Sequence, residues 1–332
     1  MMNKPSLHRM ALLAAAVAFA VIVLGAYVRL SHAGLGCPDW PGCYGELTWP
    51  AGPEEILEAN QAFPDRPVET GKAWREMVHR YLAGALVLLV IGLNVLVWQG
   101  KHRFAKARGL AAGLLLLILF QAALGMWTVT LKLKPIVVMA HLMGGLATFS
   151  LLLWLAWRSR PQPTGGDSLA YVPYRSAVLV GLFVLVFQLA LGGWTSANYS
   201  ALVCPDFPTC QSEWWPETDF SEAFVLWREI GVDYEGGVLD LPARTAIHMA
   251  HRIGAVITLL VLGLLALRLL VRPDTRPGGA ALGALLGAQI GLGILNVVLF
   301  LPLPNAVAHN GTGALLLGAM VWLLHRTWPR YG

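Results

Sequence analysis

Four histidines and four cysteines carry the chemistry available to this sequence, and each set is written twice. Cys37–Cys43 reads CPDWPGC and Cys204–Cys210 reads CPDFPTC. His79-Arg80 is echoed by His251-Arg252, and His141 by His309. Two imidazoles that face each other inside a helical bundle can hold haem iron from both sides. A single histidine near a helix end is usually an interfacial side chain. Four in two matched pairs at one depth favour ligation. Zinc suits them less, because no carboxylate or thiol joins the pairs in the apolar region. Arg80 and Arg252 follow their histidines directly and would bind haem propionates through charge-assisted hydrogen bonds, or else snorkel to the interface.

The pairs are not identical. His248 precedes His251 by three residues and shares its helical face; the corresponding residue in the first copy is Glu76. A carboxylate one turn above a ligating histidine can accept a proton or stabilise charge. It can equally be an acidic residue favoured by a helix N-terminus. The remaining histidines, His8, His32, His102 and His325, lie at loops or chain ends and are assigned no chemistry. For the cysteines, the C-x5-C spacing on an oxidising face favours two local disulfides, Cys37–Cys43 and Cys204–Cys210. A zinc site and a redox-active thiol pair are the alternatives.

The elements that must position these residues are membrane helices. Hydrophobic residues make up 56% of the 332, and only 13% are charged, against about 25% in a soluble protein. Eight stretches approach the roughly 20 apolar residues of a membrane span: near 10–30, 77–98, 110–130, 136–157, 176–196, 246–270, 280–301 and 306–325. The first is too long for an ordinary signal-peptide core and lacks a small-residue cleavage site, so it reads as a retained helix. The net charge of +5 is a topology signal and no sign of a nucleic-acid partner; the partner is membrane lipid. Lys101, Arg103, Lys106 and Arg108, then Arg158, Arg160 and Arg175, then Arg268, Arg272 and Arg276, mark the inner side. Both termini are therefore expected in the cytoplasm, with the acidic loops 31–75 and 197–245 outside. Lys132 and Lys134, on a short outer loop, are discordant.

An offset of 167 to 168 aligns the two halves. Leu24-Gly25 falls on Leu191-Gly192, Cys37 on Cys204, Gln121 on Gln289, Gly125 on Gly293 and His141 on His309. The expected fold is all-α, a polytopic membrane protein of eight helices arranged as two parallel-repeat four-helix bundles. Residues 1–158 form the first bundle, 159–174 a cytoplasmic linker and 175–332 the second bundle. The histidines would lie within about one or two turns of the outer helix ends, which places the haem sites near the outer face. Gly125, Gly144 and Gly145 either admit a flat macrocycle to the backbone or serve helix packing.

The duplicated bundle, the CPDWPGC-type outer loop after a Gly-rich helix end, Glu76-x-x-His79-Arg80 and the later paired histidines resemble haem A synthase. The likeness runs from about Leu24 to His325. It implies oxidation of the C8 methyl of haem O to a formyl group, through successive hydroxylations, to give haem A for terminal oxidases. It further implies that His79 and His141 hold the substrate haem O, that His251 and His309 hold a haem b cofactor, and that Glu76 is catalytic. Haem O synthase is the implied neighbour in the membrane; the electron donor or acceptor is unknown. The absence of a long Arg/Ser-rich presequence leans toward a bacterial inner membrane. The rival readings are a di-haem b electron-transfer cytochrome of the quinol oxidoreductase kind, a disulfide-relay protein, and a transporter.

Overall fold

The computed structural model describes residues 4–160 and 169–328. Of the expected linker 159–174, residues 161–168 lie outside the described residues. Ten α-helices run in chain order: α1 (Lys4–Leu30), α2 (Pro53–Ala62), α3 (Thr70–Gln99), α4 (Arg108–Thr130), α5 (Pro135–Ser159), α6 (Arg175–Ala197), α7 (Phe220–Ala223), α8 (Leu241–Val271), α9 (Arg276–Val298) and α10 (Leu303–Arg326). Eight of them, all but α2 and α7, are long and apolar enough to cross a membrane. The protein is polytopic and all-α.

In the first half α1 packs on α3 and α5, while α4 closes the ring between them. In the second, α6 packs on α8 and α10, and α9 closes the ring. The rings meet where α10 lies on α1 and α5, and α5 on α6. Lipid tails are as apolar as leucine, so helices associate in a bilayer by close packing, and small residues permit it. α1 buries Ala11, Ala14, Ala15 and Ala18 on one face. At the seam, Gly311 receives Val23, Gly318 receives Phe149, and Gly193 receives Leu142.

The connections repeat in backbone detail. Lys132 and Leu133 have φ of 46° and 60°, and Phe300 and Leu301, 168 residues later, 56° and 59°. His32 and Tyr199 have 52° and 54°. Trp40-Pro41 and Phe207-Pro208 are both cis. Antiparallel bridges join Cys43 to Glu46 and Cys210 to Glu213.

Two sequence expectations need amendment. α3 and α8 begin well before their apolar stretches, so His79 stands nine residues past Thr70 and His251 ten past Leu241, about two and a half to three turns. The polar first turns of these helices, with Lys72, Arg75 and Arg244, are still helical although not apolar. His141 and His309 each stand six residues in, as expected. One of the two discordant lysines, Lys134, finds a reason. Lys134 is 1% exposed, and its ammonium lies 3.6 Å from the Trp227 ring centroid. The Lys132 carbonyl accepts the Tyr234 N–H at 3.0 Å. The loop between α7 and α8 thus covers the α4–α5 connection, and Arg66, in the loop between α2 and α3, pairs with Asp233 and Glu235 of the same covering loop.

Candidate functional site

The cysteine-bearing loops sit directly on the histidine-bearing helices. Disulfides close Cys37–Cys43 and Cys204–Cys210. Within each ring an aspartate orders the turn. Asp39 accepts the N–H groups of Tyr44 at 2.6 Å and Gly45 at 2.8 Å. Asp206 accepts those of Gln211 at 2.6 Å and Ser212 at 3.0 Å. Gly36 lets the loop touch α3, since a Cβ there would sit 2.6 Å from the Lys72 carbonyl carbon.

Arg80 and Arg252 clamp these loops. Arg80 donates to the carbonyls of Asp39 at 2.9 Å, Pro41 at 3.3 Å and Gly42. Arg252 donates to the matching three, Asp206 at 2.8 Å, Pro208 at 3.3 Å and Thr209 at 2.7 Å. A guanidinium presents five N–H donors in a rigid planar fork, against three on a lysine ammonium. Sequence reasoning missed this role. The recurrence of Arg with CPDxPxC was its signal, but which carbonyls converge is a property of the folded turn.

One turn above each histidine, the asymmetric residue also meets its loop. Glu76, 5% exposed, accepts the Cys37 N–H at 2.9 Å through Oε2 and pairs with Arg80 at 2.5 Å through Oε1. His248, equally buried, donates from Nδ1 to the Ser200 carbonyl at 2.8 Å. A carboxylate can only accept and this imidazole donates, so the loop presents an N–H to one and a C=O to the other.

The four histidines approach one another in two pairs. His79 and His141 are within electrostatic reach of each other, and so are His251 and His309. Each ring rests on a glycine of a neighbouring helix. A Cβ at Gly25 would stand 3.0 Å from His79 Cε1, and at Gly192 3.1 Å from His251 Cε1. Gly125 and Gly293 do the same for His141 at 3.4 Å and His309 at 3.1 Å. Gly144 makes room for the Gln121 amide and Gly145 faces Ile22, so all three glycines singled out in the sequence receive side chains. Gln121 lies beside His141, and Gln289 Nε2 is 3.3 Å from His309 Nε2. The Nδ1 atoms of His79, His141 and His309 are buried without a hydrogen-bond partner. Paired imidazoles with orphaned ring nitrogens, recessed in apolar helices against glycines, fit a haem held by two axial histidines.

The other histidines are structural where described. His8 Nδ1 is 2.8 Å from the Ala156 carbonyl, His32 stacks on Tyr199, and His325 packs against Trp154 and Trp157. The side chain of His102 lies outside the described residues. One further polar contact escaped sequence reasoning: Gln188 of α6 reaches His251.

Residues 8–321 match the COX15-CtaA family, described as cytochrome oxidase assembly protein. The chain is 48% identical over 310 residues to a heme A synthase of Shewanella oneidensis, covering 93% of each chain. It is 27% identical over 342 residues to a heme A synthase of Caulobacter vibrioides, covering 94% of each. It is 28% identical over 334 residues to heme A synthase COX15 of Homo sapiens, covering 92% of this chain and 78% of the human one.

Proposed function

The chain belongs to the COX15-CtaA family of cytochrome oxidase assembly proteins, and we propose on that footing that it is a haem A synthase, an oxidoreductase that converts the C8 methyl of haem O to a formyl group. The 48% identity over nearly the whole chain to a heme A synthase supports the activity. The single structural observation that carries the site assignment is the duplicated histidine pair with Glu76 in one copy and His248 in the other.

The architecture we infer is two parallel four-helix repeats, residues 1–158 and 175–332, joined by the linker 159–174. The matched positive-φ residues and loop bridges support it. His79 and His141 hold the substrate haem O; His251 and His309 hold haem b. Both termini face the cytoplasm of a bacterial inner membrane, and the haem sites lie toward the outer face. Haem O, apolar apart from its propionates, is suited to a lipid-embedded pocket with polar groups at one rim. Propionate contacts by Arg80 and Arg252 would add to their grip on the loops. Haem O synthase would deliver the substrate.

Two histidines on the substrate iron leave no coordination position for a third ligand. The reading that suits this is withdrawal of electrons from the substrate and attack of water on the methyl carbon. Each of two hydroxylations then releases two electrons and two protons from methyl and water together, and the doubly hydroxylated carbon loses water to give the formyl group. Haem b, when bound, supplies an electron relay to an external acceptor. Glu76 supplies the base. A proton taken up at Oε1 breaks the pair with Arg80, whose guanidinium remains held by the loop carbonyls, while Oε2 keeps the Cys37 N–H.

The test is to purify the protein from cells co-expressing haem O synthase, extract its non-covalent haems and identify them by chromatography and mass. Haem b together with haem O, hydroxylated haem O or haem A is the expected result. Haem b alone, with haem O available, would leave an electron-transfer cytochrome instead.

A further inference from the structure

We propose that Gln188 is a positioning residue for His251, and that its presence in the second half and absence from the first separates a permanently held haem from an exchangeable one. The inference rests on the two-site assignment above.

Gln188 lies on α6 one turn before Gly192, the glycine against which His251 rests. Its Nε2 is 3.0 Å from His251 Nδ1 and 3.0 Å from the His251 carbonyl, and its Oε1 is buried without a partner. The offset of 167 places Val21 at the equivalent point, one turn before Gly25, on which His79 rests. Valine offers no polar atom, and His79 Nδ1 is buried and unpartnered. The same backbone site thus holds a hydrogen-bonding amide in one half and a hydrocarbon in the other.

An imidazole that ligates through one nitrogen carries its proton on the other, and an acceptor for that N–H fixes the ring and makes the ligand more electron-rich. Half a turn of the Gln188 amide places the unpartnered Oε1 against Nδ1 and satisfies both atoms. The His251 carbonyl gives up only an extra donor, because inside α8 it also accepts the helical bond. Among the described residues, His79 Nδ1 meets no such acceptor. Weaker hold suits a site whose occupant must enter and leave.

The experiment uses full-length haem-loaded protein and variants Gln188→Leu, Gln188→Glu, Val21→Gln and His251→Ala. The readouts are the rate of haem b transfer to apomyoglobin and the haem b midpoint potential. Gln188→Leu should release haem b about 10- to 100-fold faster. Its potential should rise by about 59 mV for each tenfold loss of ferric over ferrous affinity. Gln188→Glu should restore retention and lower the potential, and Val21→Gln should slow release of the first-half haem. Native release and native potential in Gln188→Leu, with haem b lost from His251→Ala, would overturn the role of Gln188 alone. Haem b retained by His251→Ala would overturn the site assignment beneath it.

Discussion

The Glu76 carboxylate accepts the backbone N–H of Cys37 at 2.9 Å, 39 residues away, while its other oxygen pairs with Arg80. The proposed base is therefore also a strut of the loop that carries Cys37 and Cys43. Substitutions at Glu76 must separate these two roles before they can be read as chemistry.

Glu76→Gln keeps an oxygen for the Cys37 N–H and removes the basic charge. Haem content should match the native protein, and haem A formation should fall by about 10²- to 10⁴-fold, the usual worth of a general base. Chromatographic quantification of haem A per bound haem measures it. A native rate in Gln188-intact Glu76→Gln or Glu76→Ala protein with full haem would remove Glu76 from the mechanism.

The two histidine pairs should fail differently. His79→Ala or His141→Ala should strip haem O and product from the purified protein and leave haem b, while His251→Ala or His309→Ala should remove haem b. Pyridine haemochrome spectra with extracted-haem chromatography distinguish the cases. Loss of the same haem from all four variants would contradict a two-site protein.

Lys134 is buried with its ammonium over the Trp227 ring and no hydrogen-bond partner. Trp227→Ala exposes that contact and should destabilise the protein by about 1–2 kcal/mol. Lys134→Met conserves the aliphatic stem, removes the buried cation, and should be close to neutral. Thermal melts in detergent read both. Equal losses in the two variants would mean that packing, and not the cation–π contact, holds the loop.

The second outer loop should carry a pH signature. The Thr209 hydroxyl, with the N–H groups of Ser212 and Gln211, holds the Asp206 carboxyl below its ordinary value of 3.8. A depressed folded value stabilises the loop above the unfolded one, and that support is lost as pH falls through the folded value. Resistance of Cys204–Cys210 to a phosphine reductant should therefore hold from pH 7 to about 5 and fall below about 3.8. Asp206→Asn should flatten the profile. A profile unchanged by that substitution would place the acid sensitivity elsewhere.

Much of this protein is legible along the chain because a bilayer restricts what a sequence can do. Backbone polar groups in hydrocarbon must bond internally, so an apolar run of sufficient length becomes a helix whatever surrounds it. The recurrence of His79-Arg80 and His141 after a near-constant offset locates the pairs before any contact is known. The disulfides are favoured by the C-x5-C spacing. Contacts between residues far apart in sequence are different. That Arg80 gathers three carbonyls, that Glu76 meets the Cys37 N–H, and that Trp227 shelters Lys134 depend on how a loop lands on a helix. No periodicity encodes that landing. Gln188 is the clearest case: in the sequence it is one amide in an apolar helix, and only the packing of α6 on α8 brings it to His251 and leaves Val21 beside the helix that carries His79. Pattern determines which helices form and which faces carry histidine. Tertiary packing alone decides which buried polar atoms find partners, because a hydrogen bond needs its two groups within about 3 Å and helix order does not set distances that finely.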